Sequence, residues 1–300
     1  MADARSLFAL FWNRPYPILT LAALQWAANT VMSRLTVGEI SPMQLGTLRW
    51  AIVAAVLLVV HRRGLLAEWP RLAPHKLMLL GLGAVGFSGF TALFFVAAHY
   101  TTAANLSIFQ GAMPLFVFTL AFFVRGRRIG PFQAIGMAAA MAGVVLVATR
   151  ADLEVARNLA FNLGDLFVLA ASALYAVYTI GLENRPAVSS LTFFTAVSVA
   201  AFLTSLPMTA AEMLFAPIVW PTPTGWLLTA IIAVFPSFLA QVFFIRGVEL
   251  IGPGRAGIFV NLIPVFGATM AVVVLGEPFG WYQGVGLALV MAGIVLAQRR

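Results

Sequence analysis

The chain has 300 residues, of which 62% are hydrophobic and only 9% are charged. That balance excludes an ordinary soluble domain, in which about a quarter of the residues carry charge, and it leaves room for about ten runs of membrane-spanning length. The net charge of +8 does not indicate a nucleic-acid partner, because the basic residues fall between the apolar runs. The absence of cysteine excludes disulfides and thiolate chemistry.

Apolar runs bounded by proline and glycine predict ten transmembrane helices and therefore an all-α membrane protein. Residues 150–162 are the most polar stretch, so we expect them to link two halves, 1–150 and 151–300. In chain order the predicted helices 1 to 10 are Pro17–Val37, Pro42–His61, Lys76–Ala98, Ala103–Val124, Pro131–Thr149, Leu163–Leu182, Ser190–Met208, Thr224–Gly247, Gly254–Leu275 and Gly280–Ala297.

An internal repeat relates the two halves. Residues 103–150 align without a gap to residues 253–300 at a shift of 150 positions. The matched pairs are Pro114 with Pro264, Phe116 with Phe266, Gly126 with Gly276, Gly130 with Gly280, Gln133 with Gln283, Gly136 with Gly286, and Met141-Ala142-Gly143 with Met291-Ala292-Gly293. Such a register indicates duplication of a five-helix unit.

The linker inside the repeat differs in charge between the two copies. It is Arg125-Gly126-Arg127-Arg128 in the first and Leu275-Gly276-Glu277-Pro278 in the second. Basic loops stay in the cytoplasm, so the two copies should be inverted relative to each other. With both termini inside, fourteen of the 18 basic residues fall on the inner side, three on the outer side, and Arg49 lies within helix 2. Inverted repeats are typical of secondary transporters.

The Leu-Gly-Glu-Pro sequence followed by Gln-x-x-Gly (Gln283–Gly286), in a duplicated five-helix unit, resembles the EamA family of the drug/metabolite transporter superfamily. The resemblance covers nearly the whole chain and looks closest to YddG-type exporters of aromatic amino acids. It implies a central pathway lined by helices 1, 3, 4, 6, 8 and 9, and movement of small organic solutes without ATP or another cofactor.

Polar and aromatic residues three or four apart on those helices are the candidate substrate-binding groups, because residues at that spacing share a helix face. Unpaired amides are costly in hydrocarbon and should face the interior; hydrogen bonding between helices is the alternative role. A hollow lined by amides and rings suits a zwitterion with an apolar or aromatic side chain. The candidates are Gln25, Trp26, Asn29, Ser88, His99, Tyr100, Gln110, Tyr175, Tyr178, Gln241, Phe244 and Asn261.

Four residues are candidate bending points: Gly86, Pro114, Pro236 and Pro264; static kinks are the alternative. Among ionisable groups, Arg49 lies deepest, and we favour a structural role for it. His99 could exchange protons near neutral pH, or simply lie at the interface. No acidic residue lies in the middle of a predicted span, which favours gradient-driven export over proton antiport.

Together with the resemblance, which implies export of small solutes, these patterns predict an exporter of aromatic or other apolar amino acids in the bacterial inner membrane, working by alternating access. The expected partners are a small-molecule substrate and the lipid bilayer, without nucleic acid, cofactor, metal or catalytic residues; the oligomeric state is left open. One alternative is a multidrug or organic-cation exporter, although a mid-membrane carboxylate for the cation is missing. Another is an intramembrane enzyme, although the three histidines do not form a catalytic cluster.

Overall fold

The computed structural model describes residues 11–126, 128–152 and 162–298, and within these ranges the chain forms ten helical spans and no β-strand. Several spans contain short irregular turns and are named here as continuous units. Their bounds are α1 Pro15–Leu35, α2 Pro42–Val60, α3 Arg62–Tyr100, α4 Ala103–Arg125, α5 Pro131–Ala148, α6 Leu163–Asn184, α7 Ser190–Phe215, α8 Pro223–Ile251, α9 Arg255–Leu275 and α10 Trp281–Ala297.

Eight of these spans, α2 to α9, are long and apolar enough to cross a membrane, and α10 is a shorter apolar helix of 17 residues. The remaining span, α1, has 21 residues and carries buried polar side chains. The prediction of an all-α, ten-span membrane protein is confirmed. We call the side where α1 begins and α10 ends the chain-end face, and the opposite side the far face.

A glycine crossing between α5 and α10 shows that the two halves are inverted. A Cβ atom built on Gly136 would lie 2.5 Å from the carbonyl oxygen of Gly293, and one on Gly143 would lie 2.6 Å from that of Gly286. The start of α5 therefore meets the end of α10. The repeat pairs Gly136 with Gly286 and Gly143 with Gly293. Exchanging each glycine for its repeat partner therefore turns one contact into the other, as a twofold axis in the membrane plane requires.

The same shift relates two local features of the backbone. A π-helical turn interrupts α3 at Gly83–Gly89 and α8 at Ala233–Leu239. Gly126 and Gly276 end α4 and α9 in the left-handed conformation, with φ of 62° and 65°, which glycine adopts without a steric penalty. In α8 the irregular turn contains Pro236, which has no N–H to donate.

Several boundaries differ from the predicted ones. Helix α7 continues past Met208 to Phe215 with Pro207 inside it, and α8 continues past Gly247 to Ile251. A surface helix, Arg62–Leu72, precedes the membrane part of α3 and was not predicted. Most of the predicted linker, residues 153–161, lies outside the described residues, so the division at residue 150 stays a prediction.

The far halves of the spans close around one apolar cluster, which we call the far-face seal. It includes residues from the ends of α3, the starts of α2, α4 and α6, and the first part of α8, all almost completely buried. Its main members are Ile40, Leu45, Phe94, Phe95, Ile108, Phe109, Val168 and Ile232.

Candidate functional site

A cavity of about 780 Å³ lies among α4, α5, α6, α9 and α10. It extends from Gln110 and Asn261 in the interior to Leu182, Pro253 and Gln298 at the chain-end face. Its volume falls within the usual range for small-molecule sites, about 300–1,000 Å³. The described lining is completed by Gly111, Met113, Pro114, Val117, Phe118, Gln133, Tyr175, Thr179, Gly257, Ile258, Val260, Ile263, Pro264, Ile294 and Ala297, so none of the lining residues described is charged.

Two amides at the inner end of this cavity have hydrogen-bonding capacity to spare. The Nε2 of Gln110 makes only a long bond of 3.4 Å, to the carbonyl oxygen of Leu106 in its own helix. Asn261 is half-buried, and its side chain makes no hydrogen bond to the described part of the chain. A third lining amide, Gln133, instead accepts from the backbone N–H of Gly130 at 3.1 Å. Gln110 and Asn261 are therefore the groups best placed to bind a polar solute.

The backbone is irregular where α4 and α9 pass the cavity. Helix α4 is broken between Ala103–Gln110 and Met113–Arg125, and α9 contains the tight turn Ile258–Leu262. Pro114 and Pro264 follow these breaks, line the cavity, and are equivalent under the repeat. Each lies in the first turn of the helix that follows, and its missing N–H prevents the break from closing into a continuous helix, which lowers the cost of bending at that point.

A smaller hollow of about 250 Å³ continues from the cavity between α4 and α6. It shares Val117 and Thr179 with the main cavity and reaches Arg128 and Glu183. Nearby, Arg125 Nε lies 3.4 Å from Glu183 Oε2, with both side chains about one-third exposed. The chain-end mouth of the site is therefore charged, whereas its interior is not.

Two of the predicted site residues have packing partners away from the cavity. Tyr178 lies directly behind Tyr175, with ring centroids 5.5 Å apart, and covers Gly86. The hydroxyl of Ser88 lies 2.8 Å from that of Thr204 on α7. Substrate contact by Tyr178 and Ser88 stays a prediction, and the structure gives both a role in helix packing.

The predicted residues of α1 and α8 also lie outside this cavity. Gln25 and Asn29 are each 8% exposed, and their Oε1 and Oδ1 atoms have no hydrogen-bond partner among the described residues. Trp26 packs on Phe244 at a centroid distance of 5.3 Å, and Gln241 is half-buried on the same helix as Phe244.

The last two predicted residues lie at the far end of α3. His99 and Tyr100 are exposed there, and the Tyr100 ring contacts Phe167 at 6.1 Å. The cavity wall thus differs from the predicted pathway: α5 and α10 take part in it, and α1, α3 and α8 do not.

Sequence reasoning missed a hydrogen-bonded junction at the far face. Glu277 Oε1 and Oε2 accept from the backbone N–H groups of Ala103 and Ala104, at 2.9 and 3.1 Å. Gln283 accepts from Gly280 N–H at 2.9 Å and donates to Asn105 Oδ1 at 2.9 Å. Glu277 of the Leu-Gly-Glu-Pro motif and Gln283 of the Gln-x-x-Gly motif thus fix the first turn of α4. The sequence signal that could have predicted this junction is the position of Glu277 directly after Gly276, which ends α9.

This junction continues into α6 through a buried carboxylate. Asp165 is 2% exposed, and its Oδ1 accepts from the hydroxyl of Thr101 at 2.6 Å. The same hydroxyl accepts from Asn105 Nδ2 at 3.2 Å. Asp165, Thr101, Asn105 and Gln283 therefore form one chain of hydrogen bonds across α6, α4 and α10.

The chain-end face cannot form the counterpart of the Glu277 junction. Under the repeat, Ala103 corresponds to Pro253, which has no N–H to donate, and Glu277 corresponds to Arg127, which lies outside the described residues. The far face is therefore capped by a carboxylate, while the equivalent place on the chain-end face adjoins the cavity.

Together, the inverted helical units and the uncharged cavity define a membrane transporter of the inverted-repeat type. The chain belongs to the EamA-like transporter family, whose model matches residues 14–149 and 162–298.

Similar proteins agree with this assignment. An uncharacterized transporter of Bacillus subtilis, YyaM, is 30% identical over 89% of this chain and 87% of its own length. A probable amino-acid metabolite efflux pump of Salmonella typhimurium is 28% identical over 92% of each chain, and one of Escherichia coli K12 is 25% identical over 92% of each. A solved crystal structure with a TM-score of 0.60 and 22% identity covers 94% of this chain and 96% of its own, which supports the fold.

Proposed function

We propose that this protein exports aromatic or other apolar amino acids across the bacterial inner membrane by alternating access. The observation that carries the proposal is the cavity of about 780 Å³, whose described lining combines free amides with rings and no charge. The efflux pumps of amino-acid metabolites among its relatives support the same substrate class.

The chemistry of the cavity favours a zwitterion over a phosphorylated solute. Gln110 and Asn261 offer both donors and acceptors, and Tyr175 and Phe118 offer ring surface for an apolar side chain. A phosphate group would call for a cluster of arginine or lysine, and the described lining has none. An organic cation would call for a carboxylate, which the described lining also lacks.

The two faces support alternating access. The cavity reaches the chain-end face, while the far-face seal and the Glu277 junction close the other side. In an inverted repeat, exchange of the conformations of the two halves would open the far face instead. The distribution of basic residues favours a cytoplasmic chain-end face. In that orientation, this conformation is the one that loads solute from inside.

Counterflow in liposomes tests the proposal. We expect vesicles loaded with unlabelled phenylalanine to accumulate labelled phenylalanine without chemical change, and not to accumulate labelled glucose 6-phosphate or tetraphenylphosphonium. Replacing Gln110 or Asn261 by Leu should raise the KM for phenylalanine by about tenfold, since a hydrogen bond contributes about 1–1.5 kcal/mol. Thr269→Val is the matched control, because Thr269 lies exposed on α9 and bonds only to Val265 of its own helix.

Three outcomes would contradict the proposal: no exchange of any amino acid, preferential exchange of the phosphate or the cation, or recovery of an altered product.

We further propose that export follows the solute gradient without proton antiport. The described cavity lining contains no acidic residue to carry a proton. A pH gradient imposed on vesicles with equal phenylalanine on both sides should therefore produce no net movement. Accumulation driven by that gradient alone would overturn this part of the proposal.

A further inference from the structure

Arg49, on α2, is a buried cation without a counter-ion. It is 8% exposed, its Nε atom has no hydrogen-bond partner, and no carboxylate of the described chain pairs with it. Its guanidinium carbon instead lies 5.0 Å from the ring centroid of Trp50 and 5.7 Å from that of Phe95. Ring faces attract a cation, but they do not use the planar fork of donors that arginine presents to a carboxylate. A desolvated guanidinium with an unused hydrogen-bond donor is costly inside a membrane span. This cost indicates that Arg49 pairs with an anionic ligand in another state of the protein.

Two rows of touching rings connect Arg49 to the wall of the cavity. In the first row, Tyr175 of the cavity wall contacts Phe90 at 5.7 Å, and Phe90 stacks on Phe94 at 5.6 Å. Phe94 then contacts Phe95 at 6.4 Å, and Phe95 lies beside Arg49.

The second row starts at the same tyrosine. Tyr175 contacts Tyr178 at 5.5 Å, Tyr178 contacts Phe87 at 5.3 Å, and Phe87 meets Trp50 at 4.7 Å. Trp50 is the other ring beside Arg49. We call these seven rings the aromatic partition: Trp50, Phe87, Phe90, Phe94, Phe95, Tyr175 and Tyr178. Of these rings Tyr175 lines the cavity, and Trp50 and Phe95 contact Arg49, so the rings lie between the cavity and the guanidinium.

The partition is attached to a part of α3 that can change its hydrogen-bonding register. Phe87 lies within the π-helical turn Gly83–Gly89, and Phe90 follows it directly. Such turns inside α-helices occur frequently at functional sites. At Gly86, the missing side chain lets the Tyr178 ring lie against the backbone, since a Cβ there would be 2.3 Å from Tyr178 Cγ. A return of this turn to regular α-helix would reposition Phe87 and Phe90 relative to Tyr175.

We propose that Arg49 binds the carboxylate of the substrate once the aromatic partition separates, on the way from the chain-end-open to the far-open conformation. This inference rests on the proposed function and names the group that selects for a carboxylate. The guanidinium can bind a carboxylate through two parallel hydrogen bonds, and the ion pair neutralises a charge that is otherwise buried alone. The rings of the partition would meanwhile contact the apolar side chain of the substrate.

The alternative is an arginine that only holds α2 against α3 through its two ring contacts. That role makes no distinction between solutes with and without a carboxylate. We therefore compare phenylalanine with phenylalaninamide, which keeps the ring and the amine but lacks the negative charge. The full chain in liposomes is measured as wild type, Arg49→Lys, Arg49→Gln and Arg49→Met.

We expect Arg49→Gln and Arg49→Met to lose about tenfold or more in affinity for phenylalanine, and less than about twofold for the amide. Arg49→Lys should retain part of the preference for phenylalanine, because it keeps the charge but not the fork of donors. An equal loss for both solutes would overturn the inference and leave the proposed function intact. A wild-type protein that carries neither solute would instead defeat the proposed function, and this inference with it.

A second measurement does not depend on how well the Arg49 variants transport. The chain contains no cysteine, so Arg49→Cys can be labelled selectively with the anionic reagent 2-sulfonatoethyl methanethiosulfonate. We expect labelling at position 49 that saturating phenylalanine slows severalfold. Asn261→Cys in the cavity is the positive control, and Leu57→Cys, buried against α7 at 1% exposure, is the negative control. Labelling of Asn261→Cys but never of Arg49→Cys would remove Arg49 from the substrate path.

Discussion

The carboxylate of Glu277 accepts a hydrogen bond of 2.9 Å from the backbone N–H of Ala103, the first residue of α4. Glu277 follows the end of α9, and α4 and α9 are equivalent helices of the two repeats. One carboxylate therefore joins the end of a helix to the start of its inverted counterpart. The positive end of the α4 dipole and two unsatisfied N–H groups stabilise the charge there.

Glu277→Gln should weaken the closure of the far face. The amide keeps one acceptor but loses the charge, so we expect roughly 1–2 kcal/mol less stabilisation of the closed state. Labelling of Ile108→Cys in the far-face seal by a membrane-impermeant thiol reagent should accelerate several-fold. Glu249→Gln is the control, because that exposed carboxylate pairs with Arg246 at the chain-end face. Equal labelling rates in both backgrounds would contradict this role for Glu277.

Gly293→Ala should destabilise the contact between α5 and α10. The added Cβ would lie 2.5 Å from the carbonyl oxygen of Gly136, so a backbone must move, at a cost of about 1–3 kcal/mol. Gly284→Ala, on the same helix, has its closest neighbour at 3.6 Å and should be neutral or slightly stabilising. Thermal unfolding in detergent measures both variants, and a Gly293→Ala protein as stable as Gly284→Ala would disprove the crossing.

Gly86→Ala should be tolerated only if Tyr178 is also made smaller. A Cβ at position 86 would overlap the Tyr178 ring, so the single variant should lose about 1–3 kcal/mol of stability. Tyr178→Ala alone leaves a void. The double variant should lose less stability than the sum of the losses in the two single variants. Gly81→Ala, which meets no atom within 4 Å, is the control on the same span. Strict additivity of the two losses would show that the residues do not contact each other.

Pro264→Ala should slow transport more than it weakens binding. Alanine would let the turn Ile258–Leu262 join the following helix as one continuous α-helix, and one added hydrogen bond of about 1 kcal/mol would make bending there more costly. We expect about a fivefold to tenfold lower exchange rate for phenylalanine at an unchanged Kd. Pro207→Ala is the matched control, since Pro207 lies inside α7 and away from the cavity. Equal losses in rate and affinity would identify Pro264 as a static kink.

The sequence predicted helix starts well where local chemistry determines them. The starts at Pro42 and Pro131 follow from a first-turn proline, and those at Leu163 and Ser190 follow from the capping residues before them. Pro207 was misleading, because a proline near a helix end can be absorbed without ending the helix. Gly86 and Pro236, which the sequence offered as candidate bending points, lie within the two π-helical turns, whereas the surface helix before α3 carries no comparable local signal.

Part of the cavity lining was foreseen. Five of the predicted binding and bending residues line one cavity, and their contact with substrate stays a prediction; they are Gln110, Tyr175, Asn261, Pro114 and Pro264. Periodicity identifies a face but not the neighbour that the face meets. That is why Ser88 and Thr204 on α7 could not be paired in advance, and why the partnerless amides of α1 were expected at the cavity.

The missing N–H at Pro253 makes the two faces of this nearly symmetric molecule unequal. The Glu277 carboxylate holds the far face shut through two backbone N–H groups, and the equivalent residue Pro253 offers no donor where it lines the cavity. If the protein cycles as proposed above, the unloaded state should therefore favour the conformation that opens toward the chain-end face. Solute would still cross in either direction, because an uneven resting equilibrium changes the populations of the two conformations and not the direction of the gradient.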